Sequence, residues 1–338
     1  MRIAFVFWLV SFYFTFAQRS DFNDINFKKA DSVAEIHKGE SLMNLPVLVY
    51  NLTAPLDTDV EKFRAIYTWI SSNIENDYSS YVKIRNKRKR LANNRQAFLD
   101  WNNIITPKVF DKLLNERKTA CTGYAYLVKE MANLAGFNCD IIDGYGRTPT
   151  LLLKEDSAPN HSWNRIKINN TWYICDATWS AGQTILEDGG PRFEAKYFDG
   201  YFLAEPELFV KNHFSINKEE IRPNDSENFT EFIKGPVIYK EAFLGPIIPI
   251  SPKNMQVNIK KGDVVTFKLN MPDHFKEENF QLQISAGGRQ KTIQPNILRN
   301  QNEIRLLHHF EKTGVHDVHI LVDDNFVATY VVKVKNTR

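Results

Sequence analysis

The sequence predicts an α+β protein in which helices pack on an antiparallel sheet and a small β-sandwich follows. Three observations support this prediction. Residues 57–74 carry apolar side chains at steps of three and four, the period of an amphipathic helix. Residues 162–168 and 171–174 have strand composition and are joined by Asn169-Asn170, a pair typical of hairpin turns. After about Pro236, six short segments of alternating polarity are separated by turn residues, as in a β-sandwich.

Composition excludes several classes of protein. The chain has 338 residues, 43% of them apolar, and a net charge of +3, which is typical of a globular protein of about two domains. Because 43 basic residues nearly balance 40 acidic ones, there is no overall field to attract nucleic acid, and no nucleic-acid partner is expected. Three cysteines are too few for a disulfide scaffold, and their odd number leaves one thiol unpaired within the chain.

The N-terminus has the pattern of a secretory signal peptide. Arg2 precedes an apolar stretch over residues 3–17, and the small residues Thr15 and Ala17 fit the positions before a cleavage site. A membrane-spanning helix needs about 20 apolar residues, so an uncleaved anchor is the weaker alternative. We therefore expect cleavage after Ala17, export to the periplasm or the extracellular space, and no stable membrane insertion of the mature chain.

The rest of the chain divides by composition. Residues 18–54 form a helical lead-in, residues 55–232 the central α+β domain and residues 236–338 the β-sandwich domain. A further helix is predicted at Pro107–Arg117, because Val109, Phe110, Leu113 and Leu114 fall on one side of it. The basic run Lys83–Arg90 has two interpretations, a surface for an anionic partner or a solvated loop or helix face, and the second is favoured because no aromatic residues alternate with the charges.

Three residues of the central domain have the chemistry of a nucleophilic site. Cys121 falls in the first turn of a predicted helix with Thr119 as its cap, where free N–H groups and the helix dipole favour the thiolate. His161 starts one strand of the predicted hairpin and Asp176 ends the other, so their side chains are expected to be cross-strand neighbours. Each residue alone has an ordinary structural explanation, whereas the three together favour a thiol nucleophile, its base and an orienting acid.

The motifs around these residues resemble the transglutaminase-like superfamily, whose cysteine, histidine and aspartate occur in this order. The resemblance covers roughly residues 58–213. The order of the domains is most similar to that of the kyphoscoliosis-peptidase-like and cytokinesis-type branch, in which a β-rich module follows a papain-like core. The segments that carry it are Thr119-Ala120-Cys121-Thr122-Gly123-Tyr124-Ala125, Asn160-His161-Ser162-Trp163-Asn164 and Trp172-Tyr173-Ile174-Cys175-Asp176-Ala177-Thr178-Trp179.

The resemblance implies a role for each of the three residues. Cys121 would be the nucleophile, His161 the general base and acid, and Asp176 the residue that orients His161. The expected substrate is a protein or peptide, whose acyl group passes through a thioester to water or to an amine. Hydrolysis is favoured over cross-linking, and a non-catalytic cell-surface binding or scaffold protein is the alternative from another class.

Tryptophans are the candidates for the walls of the substrate cleft. They are Trp163 and Trp179, which also suit the core, and Trp101. Trp101, Asn102 and Asn103 are the candidates for the side chain that completes an oxyanion hole.

No metal or other cofactor is expected. His308-His309 and the pair His316 and His319 each point to opposite faces of a strand, so neither pair converges on one ion. Cys139 and Cys175 are either buried apolar residues, the favoured interpretation, or one disulfide across the sheet.

Overall fold

The computed structural model describes residues 19–91, 93–151, 153–188, 190–217, 228–272 and 279–336. The expected signal peptide, residues 1–17, lies outside the described residues. Within them, no helix is both long and apolar enough to cross a membrane. The helices are α1 (Lys28–Ile36), α2 (Leu45–Thr53), α3 (Asp59–Asn73), α4 (Tyr78–Arg90), α5 (Arg95–Glu116), α6 (Cys121–Leu134), α7 (Ala177–Ala181), α8 (Pro206–Phe209) and α9 (Phe229–Lys234).

The strands fall into a central sheet, two small pairs and a C-terminal sandwich. Those of the first 232 residues are β1 (Glu75–Asn76), β2 (Lys118–Thr119), β3 (Asn138–Gly146), β4 (His161–Ile168), β5 (Thr171–Cys175), β6 (Gly182–Glu187), β7 (Gly190–Ala195) and β8 (His213–Ser215). Those that follow are β9 (Val237–Ile238), β10 (Ile248–Ser251), β11 (Gln256–Lys260), β12 (Val264–Asn270), β13 (Phe280–Ala286), β14 (Arg289–Ile293), β15 (Asn296–Asn300), β16 (Glu303–His309), β17 (Gly314–Val322) and β18 (Asn325–Lys335).

The central domain is a four-stranded antiparallel sheet in the order β5-β4-β3-β8, with α6 packed on one face. The predicted hairpin is present, since Asn169 and Asn170 both have positive φ and Ile168 pairs with Thr171. The predicted helix at residues 57–74 is α3, which starts with a capping box between Thr58 and Glu61. The predicted class, helices on an antiparallel sheet with a strand-rich region after it, is confirmed.

Each face of the central sheet contributes to a different hydrophobic cluster. Ile166 and Cys175 face the cluster formed with α1, α2, α3 and α6. Trp163 and Ile174 lie at positions of opposite parity, on the other face, and join the cluster of the β-sandwich. The lead-in helices α1 and α2 are therefore part of the same core as α3, and the sandwich is packed directly against the sheet.

The C-terminal region forms two sheets, in the orders β10-β12-β16-β15 and β11-β18-β17-β13-β14, with β9 added to β18. The six predicted strands correspond to β11, β12, β13, β16, β17 and β18. The strands β9, β10, β14 and β15 were not predicted; the side chains of β14 and β15 are mostly exposed and so lack a strict apolar alternation.

Two of the sequence-based helix assignments need correction. The helix placed at Pro107–Arg117 begins twelve residues earlier, at Arg95, with Asn94 accepting a hydrogen bond from the N–H of Ala97 as its cap. Pro107 lies inside this helix instead of in its first turn. The cap expected from Thr119 is also absent: Ala120 occupies the capping position of α6 and gives no side-chain hydrogen bond.

Candidate active site

Cys121 is the first residue of α6 and is held by the strand that precedes it. The short strand β2 pairs in parallel with β1, which follows α3, so the chain reaches Cys121 in a fixed position. Gly123 allows this strand to pass close to the helix, since a Cβ there would lie 1.9 Å from Oγ1 of Thr119. Cys121 is 6% exposed and lies in the first turn of α6, where the helix dipole favours a thiolate.

His161 is the first residue of β4, and its neighbour Asn160 fixes where the strand starts. The side-chain amide of Asn160 accepts a hydrogen bond from the N–H of Gly146 (2.7 Å) and donates one to its carbonyl (3.0 Å). The side-chain amide of Asn160 thus makes the two hydrogen bonds with Gly146 that a backbone residue of a neighbouring strand would make, and so continues the β3–β4 pairing beyond the end of β4. The imidazole is buried and stacks on Trp179, with ring centroids 5.1 Å apart.

Asp176 directly follows β5 and caps α7. Its Oδ1 atom accepts hydrogen bonds from the N–H groups of Thr178 (2.9 Å) and Trp179 (3.2 Å). Its Oδ2 atom accepts from Nε2 of His161 at 2.6 Å. The cap leaves Oδ2 aimed at the histidine, so the same carboxylate ends the strand, starts the helix and orients the imidazole.

The three groups favour charged forms. Burial raises the pKa of the Cys121 thiol, but the hydrogen bond and charge of His161 outweigh burial, and the pKa lies below its ordinary value. Burial lowers the pKa of His161, yet the charge of Asp176 and the hydrogen bonds to Asp176 and Cys121 raise it to about 10. Burial opposes ionisation of Asp176 as well, and the charge of His161 still holds its pKa below the usual range. The arrangement favours a thiolate and imidazolium pair beside a carboxylate.

The other two cysteines have the opposite character. Both are free and buried, as the favoured sequence interpretation expected. Burial raises the pKa of Cys139 to about 12 and raises that of Cys175 well above its ordinary value. Cys139 accepts a hydrogen bond from Asn164 at 3.7 Å, but this does not offset burial, so only Cys121 among the three has its pKa lowered.

His213 belongs to the site, although no role was predicted for it from the sequence. Its Nε2 atom lies 3.2 Å from Oδ2 of Asp176, so that oxygen is shared by two imidazoles. Burial lowers the pKa of His213 to about 4, despite the opposing effect of Asp176, so this imidazole is neutral at pH 7. Its ring stacks on Phe209 with centroids 3.7 Å apart. It reaches the site because β8 pairs with β3, a long-range contact that no local pattern in the sequence indicates.

The three candidate cleft tryptophans lie in different places. Trp179 is partly exposed and stacks on His161. Trp163 is only 1% exposed and belongs to the hydrophobic cluster of the β-sandwich. Its ring contacts the imidazoles of His161 and His213, so it packs behind the site and does not line an open cleft. Trp101 lies on α5, where its ring contacts Phe98 of the same helix at 6.0 Å.

The remaining oxyanion-hole candidates also lie on α5. Asn102 and Asn103 are both exposed on this helix. The N–H groups at the start of α6 are the donors closest in sequence to the thiol.

One group of the described residues has the geometry to hold a metal ion, and it is part of this site. Atoms of His161, Asp176 and His213 lie within 4.8 Å of one another. The same atoms already satisfy each other by hydrogen bonds, and a metal would have to displace a proton from His161 to bind. The hydrogen bonds among these atoms fit proton transfer through His161.

A buried cysteine at a helix start, with a histidine and an aspartate on the adjoining antiparallel strands, defines the class of papain-like cysteine sites. Residues 47–177 match the family model of the transglutaminase-like superfamily core, and the chain contains a transglutaminase-like domain at that position. The match includes Cys121, His161 and Asp176, and the resemblance inferred from the motifs is confirmed.

Similar proteins extend this comparison. Kyphoscoliosis peptidase of Homo sapiens is 27% identical over 278 residues, which is 80% of this chain and 39% of that protein. Cytokinesis protein 3 of Saccharomyces cerevisiae is 31% identical over 110 residues, 32% of this chain and 12% of that protein. A crystal structure of a TGase shares 15% identity and covers 45% of this chain and 32% of that chain, with a TM-score of 0.27. The chain thus spans about two fifths of the length of the kyphoscoliosis peptidases that it matches.

Proposed function

We propose that this protein is a cysteine enzyme that cleaves amide bonds of proteins or peptides through a thioester on Cys121. The observation that carries the proposal is the continuous, buried hydrogen-bonded series from Cys121 through His161 to Asp176, in which the thiol pKa is lowered. A thiol kept only for packing needs no such partner, as Cys139 and Cys175 illustrate.

The geometry supports a two-step reaction. The Cys121 thiolate attacks the amide carbonyl carbon, and the N–H groups at the start of α6 stabilise the negative charge that develops on the oxygen. Nε2 of His161 is engaged by Asp176, so Nδ1 is the nitrogen that faces the reacting groups and gives its proton to the leaving amine. The carbon–nitrogen bond breaks and a thioester remains.

In the second step, neutral His161 takes a proton from water as the hydroxyl oxygen attacks the thioester carbonyl. The carbon–sulfur bond breaks, the carboxylic acid leaves, and the thiolate and imidazolium pair is restored. Water needs no docking site of its own, whereas the lysine of an acceptor protein does. Hydrolysis is therefore our proposal, and transfer to an amine is its competitor.

One assay separates the two acceptors. The purified protein is incubated with fluorescent casein, and with casein plus the amine monodansylcadaverine, alongside the Cys121→Ala variant. We expect soluble peptides from casein, little amine incorporation, and loss of both signals in the variant. Incorporation without peptide release would establish transfer instead, and peptide release that survives in Cys121→Ala would contradict the proposal.

We also propose that the protein is exported, on the strength of the pattern at residues 1–17. The test is to produce the full chain in a bacterial host, recover the periplasmic fraction and sequence the N-terminus of the product. We expect a chain that begins at Gln18. A product that begins at residue 1 and stays in the cytoplasmic fraction would contradict export.

A further inference from the structure

Helix α4 is anchored next to the candidate nucleophile. The N–H of Asp77, its capping residue, donates to the carbonyl of Thr119 at 2.9 Å, and Thr119 lies two positions before Cys121. The buried carboxylate of Asp77 accepts from the N–H of Ser80 (3.0 Å) and pairs with Lys112 of α5. These bonds fix the start of α4 relative to β2 and α5, so its position beside the thiol is part of the fold.

One face of α4 is turned toward Cys121. Tyr81, Arg85 and Arg88 are spaced by four and three residues and therefore share a face, and all three are half-buried. The Arg85 guanidinium lies 5.6 Å from the centre of the Tyr81 ring. Tyr81 and the positive charge of Arg88 both act electrostatically on the Cys121 thiol, which places this face within range of the reacting sulfur.

Helix α4 contains no acidic residue that could balance its positive charge. Its thirteen residues contain six cations and no carboxylate. In the part of the chain that the structure describes, none of the six takes part in a salt bridge. The cations are Lys83, Arg85, Lys87, Arg88, Lys89 and Arg90.

A helix that carries unpaired cations beside a nucleophile makes the local potential positive where the substrate must approach. Such a potential raises the local concentration of anions, and guanidinium groups bind carboxylates through two parallel hydrogen bonds. The solvated-face interpretation of Lys83–Arg90 accounts for exposed Lys83, Lys89 and Arg90. It does not account for the half-buried Arg85 and Arg88 on the face toward the thiol.

We propose that Arg85 and Arg88 bind acidic side chains of the substrate, so that the enzyme acts on acidic peptide segments. The proposal rests on the proposed function of Cys121, whose substrate class it specifies. The occupant of this surface is a polypeptide that also reaches the thiol, which distinguishes it from a polyanion bound to the outer side of α4.

The first test uses two alkylating reagents of the same size, iodoacetate and iodoacetamide, which differ in charge. The rate constant for each at Cys121 is measured in the full chain at pH 7 and low salt, and the ratio of anionic to neutral reagent is compared among variants. A change in the thiol pKa affects both reagents alike and cancels in the ratio. The variants are Arg88→Gln, the double variant Arg85→Gln/Arg88→Gln, and the control Lys253→Gln/Lys312→Gln, which removes two exposed cations of the β-sandwich.

We expect the ratio to fall about threefold to fivefold in the Arg85/Arg88 double variant and about twofold in Arg88→Gln. The ratio should not change in the control. In 0.5 M salt the difference should nearly vanish, because ions screen the interaction. A ratio that is the same in all four proteins would overturn the proposal. The single variant keeps the test valid if loss of Arg85 perturbs α4.

The second test uses pairs of internally quenched peptides that differ only by glutamate or glutamine near the cleaved bond. We expect a higher kcat/KM for the glutamate peptide, and loss of that preference in Arg85→Gln/Arg88→Gln.

The outcomes distinguish this inference from the proposed function. If Cys121 is activated but neither its reagent ratio nor its peptide preference changes in the arginine variants, this inference alone is overturned. A Cys121 that reacts as an ordinary thiol with both reagents would overturn the proposed function. Binding of heparin or anionic vesicles that depends on these arginines, without any glutamate preference, would assign the surface to another anion and also overturn the inference.

Discussion

The Nε2 atom of His161 lies 2.6 Å from Oδ2 of Asp176, a carboxylate that is 1% exposed. A buried carboxylate at this distance stabilises the imidazolium and thereby the thiolate of Cys121, because each charge favours the next. The contact depends on two local structures, the hairpin that ends at Cys175 and the helix cap that Asp176 provides for α7.

Asp176→Asn should disrupt this series with little change in shape. An amide replaces one acceptor by a donor, which must face either the backbone N–H groups of α7 or the two histidines. We expect peptide hydrolysis to fall on the order of 10³- to 10⁴-fold and alkylation of Cys121 at pH 6 to slow at least about tenfold. Asp140→Asn is the matched control, since Asp140 is a 46% exposed carboxylate that pairs with Arg165. Equal rates in Asp176→Asn and wild type would contradict this role.

His213 should make the stability of the fold depend on pH below neutrality. Its pKa is about 4 in the folded state and about 6.5 when unfolded, so the unfolded chain binds more protons between these values. Stability therefore falls as the pH is lowered from 6.5 to 4, by up to about 3 kcal/mol from this group. We expect His213→Gln to reduce that slope in urea unfolding curves recorded at several pH values. An unchanged slope would show that His213 is protonated without cost in the folded protein.

His161 should act in a different pH range. Its pKa of about 10 lies above the unfolded value, so its contribution to stability is complete below pH 6.5 and is lost as the pH rises toward 10. The two histidines therefore affect unfolding curves in ranges that do not overlap. We expect the difference in unfolding free energy between wild type and His161→Ala to shrink steadily between pH 7 and 10, and a difference that grows over this range would contradict the assignment.

Gly146→Ala tests how closely the site is packed. A Cβ at this position would lie 3.0 Å from Cζ2 of Trp179 and 3.1 Å from Cβ of His161, so both side chains must move by a few tenths of an ångström. We expect kcat/KM to fall about tenfold, since small displacements of catalytic groups reduce rates strongly, with less than about 2 kcal/mol lost in stability. Gly235→Ala, where the nearest atom would be 3.4 Å away, should change neither quantity.

The N-terminal helix α1 is tied to the core by a cluster of ion pairs around the buried Arg64. Arg64 of α3 has a side chain 5% exposed and pairs with Asp31 of α1 (2.6 Å) and with Asp199, which also pairs with Arg19. Removing the cation would leave partly buried carboxylates without their main partner. We expect Arg64→Met to lower the free energy of unfolding by about 1 to 3 kcal/mol in urea titrations, less than for a fully buried pair, because Asp31 is 39% and Asp199 27% exposed. A loss below about 1 kcal/mol would show that α1 is not fixed by this cluster.

Local patterns were sufficient for much of this fold. The apolar spacing of α3, the Asn169-Asn170 turn and the alternation of β12 and β18 each fix structure within a few residues, and the sequence carries those signals directly. The pairing of His161 with Asp176 was also predictable, because a tight hairpin sets which residues are opposite one another.

The features missed from the sequence depend on distant contacts. His213 joins the site through the pairing of β8 with β3, and α4 lies beside Cys121 because Asp77 bonds to Thr119. The predicted helix at Pro107–Arg117 is only the second half of α5, whose first half has few buried apolar residues to reveal it, and Pro107 is tolerated inside it at the loss of one backbone bond. Neither spacing nor composition encodes these arrangements.

The central claim is that His161 activates Cys121, and alkylation by iodoacetamide between pH 5 and 9 tests it most directly. Labelling is followed at all three cysteines by mass spectrometry in wild type and His161→Ala, with Cys139 and Cys175 as internal controls. We predict that Cys121 alone reacts below pH 7 in wild type, and that His161→Ala slows this reaction at pH 6 about tenfold or more and moves its midpoint upward. A Cys121 that titrates like an ordinary thiol in both proteins, or that does not react at all, would contradict the account.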